Sequence, residues 1–189
     1  MTDATLAPTA GQAGTTTTWQ IDPAHSNVEF AVKHMMIATV RGRFADVSGT
    51  VTTDGTPEGS HVAVRIAAGS IDTRQAQRDQ HLTSPDFLDV ATYPDITFVS
   101  TKITSKGDDE FTMVGDLTIR GVTRPVTLDV TSEGKGKDPW GNQRAGFSAT
   151  GKIDRREFGL TYNQALETGG VLVGNDLKLT LDIELTHAG

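Results

Sequence analysis

Leu177-Lys178-Leu179-Thr180-Leu181-Asp182-Ile183-Glu184-Leu185 alternates apolar and polar side chains without a break. Neighbouring residues of a strand point to opposite faces, so this stretch reads as a strand with one buried and one solvated face. The same parity recurs upstream. Phe111, Met113, Gly115, Leu117 and Ile119 interleave with Thr112, Val114, Asp116 and Thr118. Phe147, Ala149, Gly151 and Ile153 interleave with Ser148, Thr150, Lys152 and Asp154. Shorter runs place Val28, Phe30 and Val32, then Val62, Val64 and Ile66, then Ile96 and Phe98, then Val126, Leu128 and Val130 on one face of their strands.

Turn chemistry separates the runs. Asp54-Gly55, Lys106-Gly107-Asp108-Asp109, Arg120-Gly121 and Asp138-Pro139-Trp140-Gly141-Asn142 all favour reversals. The pattern predicts eight strands, near 19–34, 40–53, 61–71, 95–105, 110–120, 122–133, 144–157 and 174–186. Most connections are short, which favours antiparallel neighbours. Two are long. Residues 74–90 form a short helical insertion: Gln75 to Leu82 tolerate helix, and Ser84-Pro85 offers an N-cap and a first helical residue. The other runs from Phe158 to Gly174 and contains Gly169-Gly170. The fold class is therefore all-β, an eight-stranded antiparallel barrel.

The 189 residues suit one domain, placed at 19–187, with residues 1–18 as a Thr-, Ala- and Gly-rich tail outside the core. A net charge of −7 argues against nucleic acid, which needs a dense basic face. No cysteine is present, which removes disulfides, thiol nucleophiles and thiolate metal sites. No stretch approaches the roughly 18 apolar residues of a membrane span. The first 18 residues lack the basic and apolar regions of a signal peptide. These features predict a cytoplasmic protein with no stable membrane insertion.

A sheet with one apolar face must bury it, as a sandwich or as a barrel that is packed or holds a ligand. Gly115, Ala149 and Gly151 fall on the inward parity and would leave volume for an apolar ligand; equally, the glycines could mark bends of a filled barrel. Catalytic signatures are weak. Asp108-Asp109 sits in a hairpin tip, and Ser26 beside His25 points to the opposite face. The five histidines, at 25, 34, 61, 81 and 187, lack the short spacing of a zinc motif, although His25, His34 and His81 could converge in space. No metal and no cofactor is expected.

Several motifs occur together in a fixed order. They are Trp19-Gln20-Ile21-Asp22-Pro23-Ala24-His25-Ser26 with Val28, Phe30 and His34; Gly42-Arg43-Phe44 with Gly49; and Ser70-Ile71-Asp72-Thr73. Next come Arg78-Asp79-Gln80-His81-Leu82 running into Asp86-Phe87; Tyr93-Pro94 with Phe98; Gly115-Asp116-Leu117-Thr118-Ile119-Arg120-Gly121; and Asp154-Arg155-Arg156-Glu157-Phe158-Gly159. In this order they resemble the YceI-like, polyisoprenoid-binding family of lipocalin-like barrels, from Trp19 to Glu184. The resemblance implies a pore that binds an isoprenoid or another long-chain amphiphile, often in a homodimer. Many relatives look periplasmic with a signal peptide, whereas the reading of residues 1–18 predicts none for this sequence.

For the apolar tail of such a ligand we expect a lining of Phe30, Val32, Phe44, Ile66, Leu82, Phe87, Phe98, Met113, Leu117, Leu128, Phe147 and Leu181. Met35 and Met36 follow the first strand at a barrel mouth. A polar head needs donors at one end of the pore, because an unpaired buried polar group is costly. The candidates are Arg78, Asp79 and His81 in the insertion, His25, Ser26 and His34 on the first strand, and Arg155, Thr73 and Arg120. The competing reading is that Arg78 and Asp79 cap a helix or form an ion pair, that His25 and Ser26 tie a turn, and that Arg120 belongs to its Gly turn. The sequence thus points to a carrier or store of an isoprenoid lipid, a quinone side chain included. The alternative is an enzyme acting on a prenyl lipid or isoprenoid quinone with His and Arg at the mouth.

Overall fold

The computed structural model describes residues 16–167 and 169–187. The strands are β1 (Thr17–Ile21), β2 (Asn27–His34), β3 (Ala38–Phe44), β4 (Val47–Thr53), β5 (His61–Ala67), β6 (Ile71–Asp72), β7 (Asp95–Ser105), β8 (Glu110–Ile119), β9 (Val122–Lys137), β10 (Gln143–Asp154) and β11 (Val173–His187). One helix, α1, spans Ala76–Thr83. Of the tail expected over residues 1–18, Thr17 and Thr18 instead open β1 and pair with Thr53 and Thr52; residues 1–15 lie outside the described residues.

These segments assemble as eight barrel strands. β1 and β2 run in line, with β11 on one side and the in-line pair β3 and β4 on the other. β5 and β6 continue the ring, followed by β7, β8, β9, β10 and β11 in chain order. All pairings are antiparallel, and the ring closes where the last strand meets the first, through Ile21↔Leu185 and Val28↔Leu181. The predicted count and order therefore hold.

The interruptions have local causes. Pro23 brings no amide hydrogen to the ladder, and the chain turns at Asp22–Ser26 while the Asp22 amide still donates to the Glu184 carbonyl at 2.8 Å. Between β3 and β4, Ala45 donates to the Ser70 carbonyl (3.1 Å) and Asp46 to the Ser70 hydroxyl (3.1 Å). A 3₁₀ turn over Ala68–Ser70 thus satisfies amides that the ladder leaves free. Residues 155–157, expected to finish a strand, form a second 3₁₀ turn, Arg155–Phe158, capped by the Asp154 side chain and ended by Gly159 at φ 74°. The Ser84 expectation is also reversed. Pro85 disfavours helical backbone at Ser84, which ends α1 with extended angles (φ −73°, ψ 169°), while Gln75 caps its start.

The two ends of the barrel differ. One carries the turns 54–60, 106–109 and 138–142, and is the mouth. The other carries the β2–β3 turn, α1 and the segment 155–172, and is the base. β9 keeps β8 as a partner only as far as Thr131, so its last residues and the start of β10 overhang the mouth. The base is a packed core in which Phe158 is wholly buried and Phe87, Leu88 and Leu160 are nearly so.

Candidate functional site

The inward faces of the strands enclose a cavity of about 790 Å³. Its wall is built by the parity that the sequence shows. β11 contributes Leu177, Leu179, Leu181, Ile183 and Leu185, and β8 contributes Phe111, Met113, Leu117 and Ile119. β7 begins with Ile96 and Phe98 inward; a bulge between Ser100 and Lys102 then reverses parity and brings in Ile103 and Ser105. All twelve residues expected to meet an apolar tail lie on this wall.

Burial varies over the wall, with Ile21 and Leu185 buried near the mouth and Leu177 and Leu179 half-buried nearer the base. Toward the base Ile66, Ile96, Leu117, Ile119, Leu128 and Ile153 are buried. Toward the mouth Val51, Val62, Ile103, Phe111, Val130, Phe147 and Ile183 remain half-buried although they point inward. Apolar side chains inside a closed wall stay accessible only where nothing fills the space in front of them. The cavity reaches the mouth between Thr53, Thr56, Ser60, Ser105, Asp108, Asp109, Ser132 and Lys135. An apolar shaft therefore ends in a ring of hydroxyls and charges.

The hollow does not arise where the sequence suggests. A Cβ on Gly115 would stand under 3.0 Å from the Phe98 ring and the Val99 carbonyl, and one on Gly151 would meet Leu128. Both glycines make room for larger neighbours and line no cavity; only Ala149 of that trio does. Gly42 likewise yields to Phe30 and Thr73. The space comes from an eight-stranded circumference with a plug at one end only.

The expected head-group residues are scattered. The Arg78 Nε and a terminal nitrogen donate to the Thr73 hydroxyl and carbonyl, each at 2.7 Å. Asp79 accepts from the Thr73 amide at 2.9 Å and from its hydroxyl. These groups staple α1 to the end of β6 around a buried Thr73. His81 faces Asp86 at 2.9 Å and meets Phe87 and Tyr162 edge to face. His34 ends β2, opposite Ala38 and Val173. Arg155 alone of these candidates lines the cavity. It is buried, and its guanidinium donates to the carbonyls of Gly174 (2.8 Å), Tyr162 (2.9 Å), Val173 (3.3 Å) and Leu160, which ties the 159–173 segment to the barrel.

His25 belongs to an ion-pair network on the outer wall that sequence reading misses. Its Nδ1 lies 3.0 Å from Asp22. Arg144 donates to Asp22, to Glu184 (2.9 Å) and to Asp138 (3.1 Å). His25 and then Arg144 hold the Asp22 carboxyl at about 2, and the same pairing raises the His25 pKa. The Asn142 side chain, with Arg144 assisting, holds Asp138 at about 2. Asp22, His25 and Glu184 present ligand atoms within 4.8 Å of one another, and the Arg144 cation already occupies that corner. His25, His34 and His81 stand on different elements and share no such set among the described residues.

Residues 19–185 match the model of the YceI-like domain. A UPF0312 protein of Pseudomonas syringae pv. tomato is 41% identical over 166 residues, 87% of this chain and 81% of that protein. Among solved structures, Burkholderia cenocepacia BcnA superposes with a TM-score of 0.75 at 25% identity, covering 87% of this chain and 98% of that one. A polyisoprenoid binding domain from Saccharophagus degradans, implicated in plant cell wall breakdown, superposes with a TM-score of 0.62 over 90% of this chain and 98% of that one; at 13% identity it speaks for the fold alone. Among the described residues no helix is long and apolar enough to cross a membrane.

Proposed function

This chain belongs to the YceI-like domain family, and from that premise we propose that its barrel carries or stores a polyisoprenoid or similar long-chain amphiphile. The observation that bears most weight is the apolar cavity of about 790 Å³ with half-buried aliphatic and aromatic walls. Ligand pockets span roughly 300–1,000 Å³. At about 0.8 kcal/mol per buried carbon, each five-carbon isoprene unit contributes about 4 kcal/mol before the costs of association, so a few units suffice for a stable complex.

The tail occupies the shaft and the head sits at the mouth beside Ser132 and Lys135. This orientation rests on where polar groups remain available: Arg78 and Asp79 already spend theirs on Thr73. Arg155 is the polar group nearest the tail end, and its carbonyl partners already disperse its charge. A quinone side chain, a homodimer and a cytoplasmic setting belong to the same reading.

Native mass spectrometry of the purified chain, followed by organic extraction, tests it. We expect a bound prenyl lipid, or uptake of an added one at micromolar concentration. Empty protein that refuses prenyl lipids would sink the proposal, and turnover of the lipid abolished by His81→Ala would favour the enzymatic alternative.

A further inference from the structure

The turn between β2 and β3 is built against the ordinary rules. Met35 and Met36 occupy the left-handed region at φ 51° and 60°, and the Ile37 amide closes the turn on the His34 carbonyl at 3.2 Å. Hairpin turns of this hand are normally Asn-Gly, which tolerate positive φ and dissolve in water. Here the tip is apolar and open: Met35 is 40%, Met36 62% and Ile37 81% exposed. The tip is also held in place, because the Met35 amide donates to the Leu172 carbonyl at 2.8 Å.

Its flanks carry the opposite charge to the rest of the molecule. From Phe30 to Phe44 there is no Asp or Glu, whereas Lys33, Arg41 and Arg43 all fall there, in a chain of net charge −7. Arg43 pairs with Asp72. Arg41, Ala31 and Lys178 stand in one register row across β3, β2 and β11, with Lys33 one outward position nearer the tip. Lys33, Arg41 and Lys178 are exposed and form no salt bridge among the described residues. An apolar tip flanked on one face by unpaired cations is the pattern of a segment that seats in an anionic lipid surface.

We propose that the β2–β3 turn is a membrane-docking element, inserting Met35, Met36 and Ile37 into an anionic phospholipid surface while Lys33, Arg41 and Lys178 meet its phosphates. The inference does not depend on what fills the cavity. Among the described residues the other exposed large apolar side chains are Val99 at 41%, within β7, and Trp140 at 83%, which stands at the mouth end with Asp54, Glu58, Asp108 and Asp109.

Co-sedimentation of the full chain with vesicles of phosphatidylglycerol and phosphatidylcholine tests the proposal. The wild type should bind the mixed vesicles, weakly at high salt and little with phosphatidylcholine alone. Met35→Asn/Met36→Gly preserves the turn and should melt no lower than the wild type, yet lose binding. Lys33→Gln/Arg41→Gln should weaken binding about 30-fold, and Trp140→Ser should leave it unchanged. The proposal is overturned if the wild type ignores anionic vesicles, if the Asn-Gly variant binds as well, or if Trp140→Ser abolishes binding. It also fails if light scattering shows a wild-type dimer that the Asn-Gly variant dissolves, because the tip is then a contact between copies.

Discussion

A methyl group added at Gly115 would stand under 3.0 Å from the ring of Phe98 and 2.7 Å from the Val99 backbone carbonyl. Overpacking of this kind costs roughly 1–3 kcal/mol. Gly115→Ala should therefore lower stability in urea by about 2 kcal/mol, and an unchanged midpoint would show that the ring yields. A charge-scale prediction concerns Asp22, whose folded pKa of about 2 lies below its ordinary 3.8. A depressed carboxylate adds stability above its unfolded pKa and loses it as pH falls through the folded value. His25 is raised, so its share is full below its ordinary 6.5 and disappears as pH climbs through the higher folded value. Asp22→Asn should thus destabilise the protein between about pH 4 and pH 6 and have little effect near pH 2, read from Tm against pH. The sequence places Asp22 and His25 in one motif, but their partner Arg144 lies 122 positions away from Asp22. No local pattern announces a contact of that range.

At the scale of elements, period-2 alternation located the strands well, because the inward parity of each is enforced by burial. It fared worse where a single residue breaks the period. The bulge at Ser100–Lys102 puts Ile103 inside, against a parity continued from Phe98. The insertion at 74–90 was visible as a helical stretch, but the role of its polar residues was not. Arg78 and Asp79 look like ligand-binding groups until Thr73 is seen beside them. If their work is structural, Thr73→Val should cost about 2 kcal/mol and speed hydrogen exchange across Ala76–Thr83. Affinity for a prenyl lipid should change little. A large loss of affinity with normal exchange would restore these residues to the head-group site.

For the molecule as a whole, the sequence made the closed barrel and all twelve apolar wall residues legible, yet it gave a wrong reason for the hollow. Gly115 and Gly151 proved to be packed, and of the small inward residues only Ala149 borders the space; that space belongs to the circumference, a property no single residue carries. The two halves should therefore respond oppositely to added bulk. Val130→Trp projects into open space near the mouth, so it should leave Tm within a few degrees of the wild type while reducing prenyl-lipid affinity at least about tenfold. Equal affinity in a titration would mean that the ligand stops short of that level.

Closure of the ring between its first and last strands has a consequence for synthesis. Ser26 bonds to Glu184, 158 positions later. On the ribosome, seven strands can pair in order as they emerge, each beside its predecessor, but the cylinder stays a curled open sheet until the fifteen residues of β11 join it. Non-local pairing of this kind is slow. Until then two unpaired edges and the whole greasy interior face the surroundings. A hydrophobic guest present at that moment would meet the wall from the side, before the mouth exists, and zippering of β11 would shut it in.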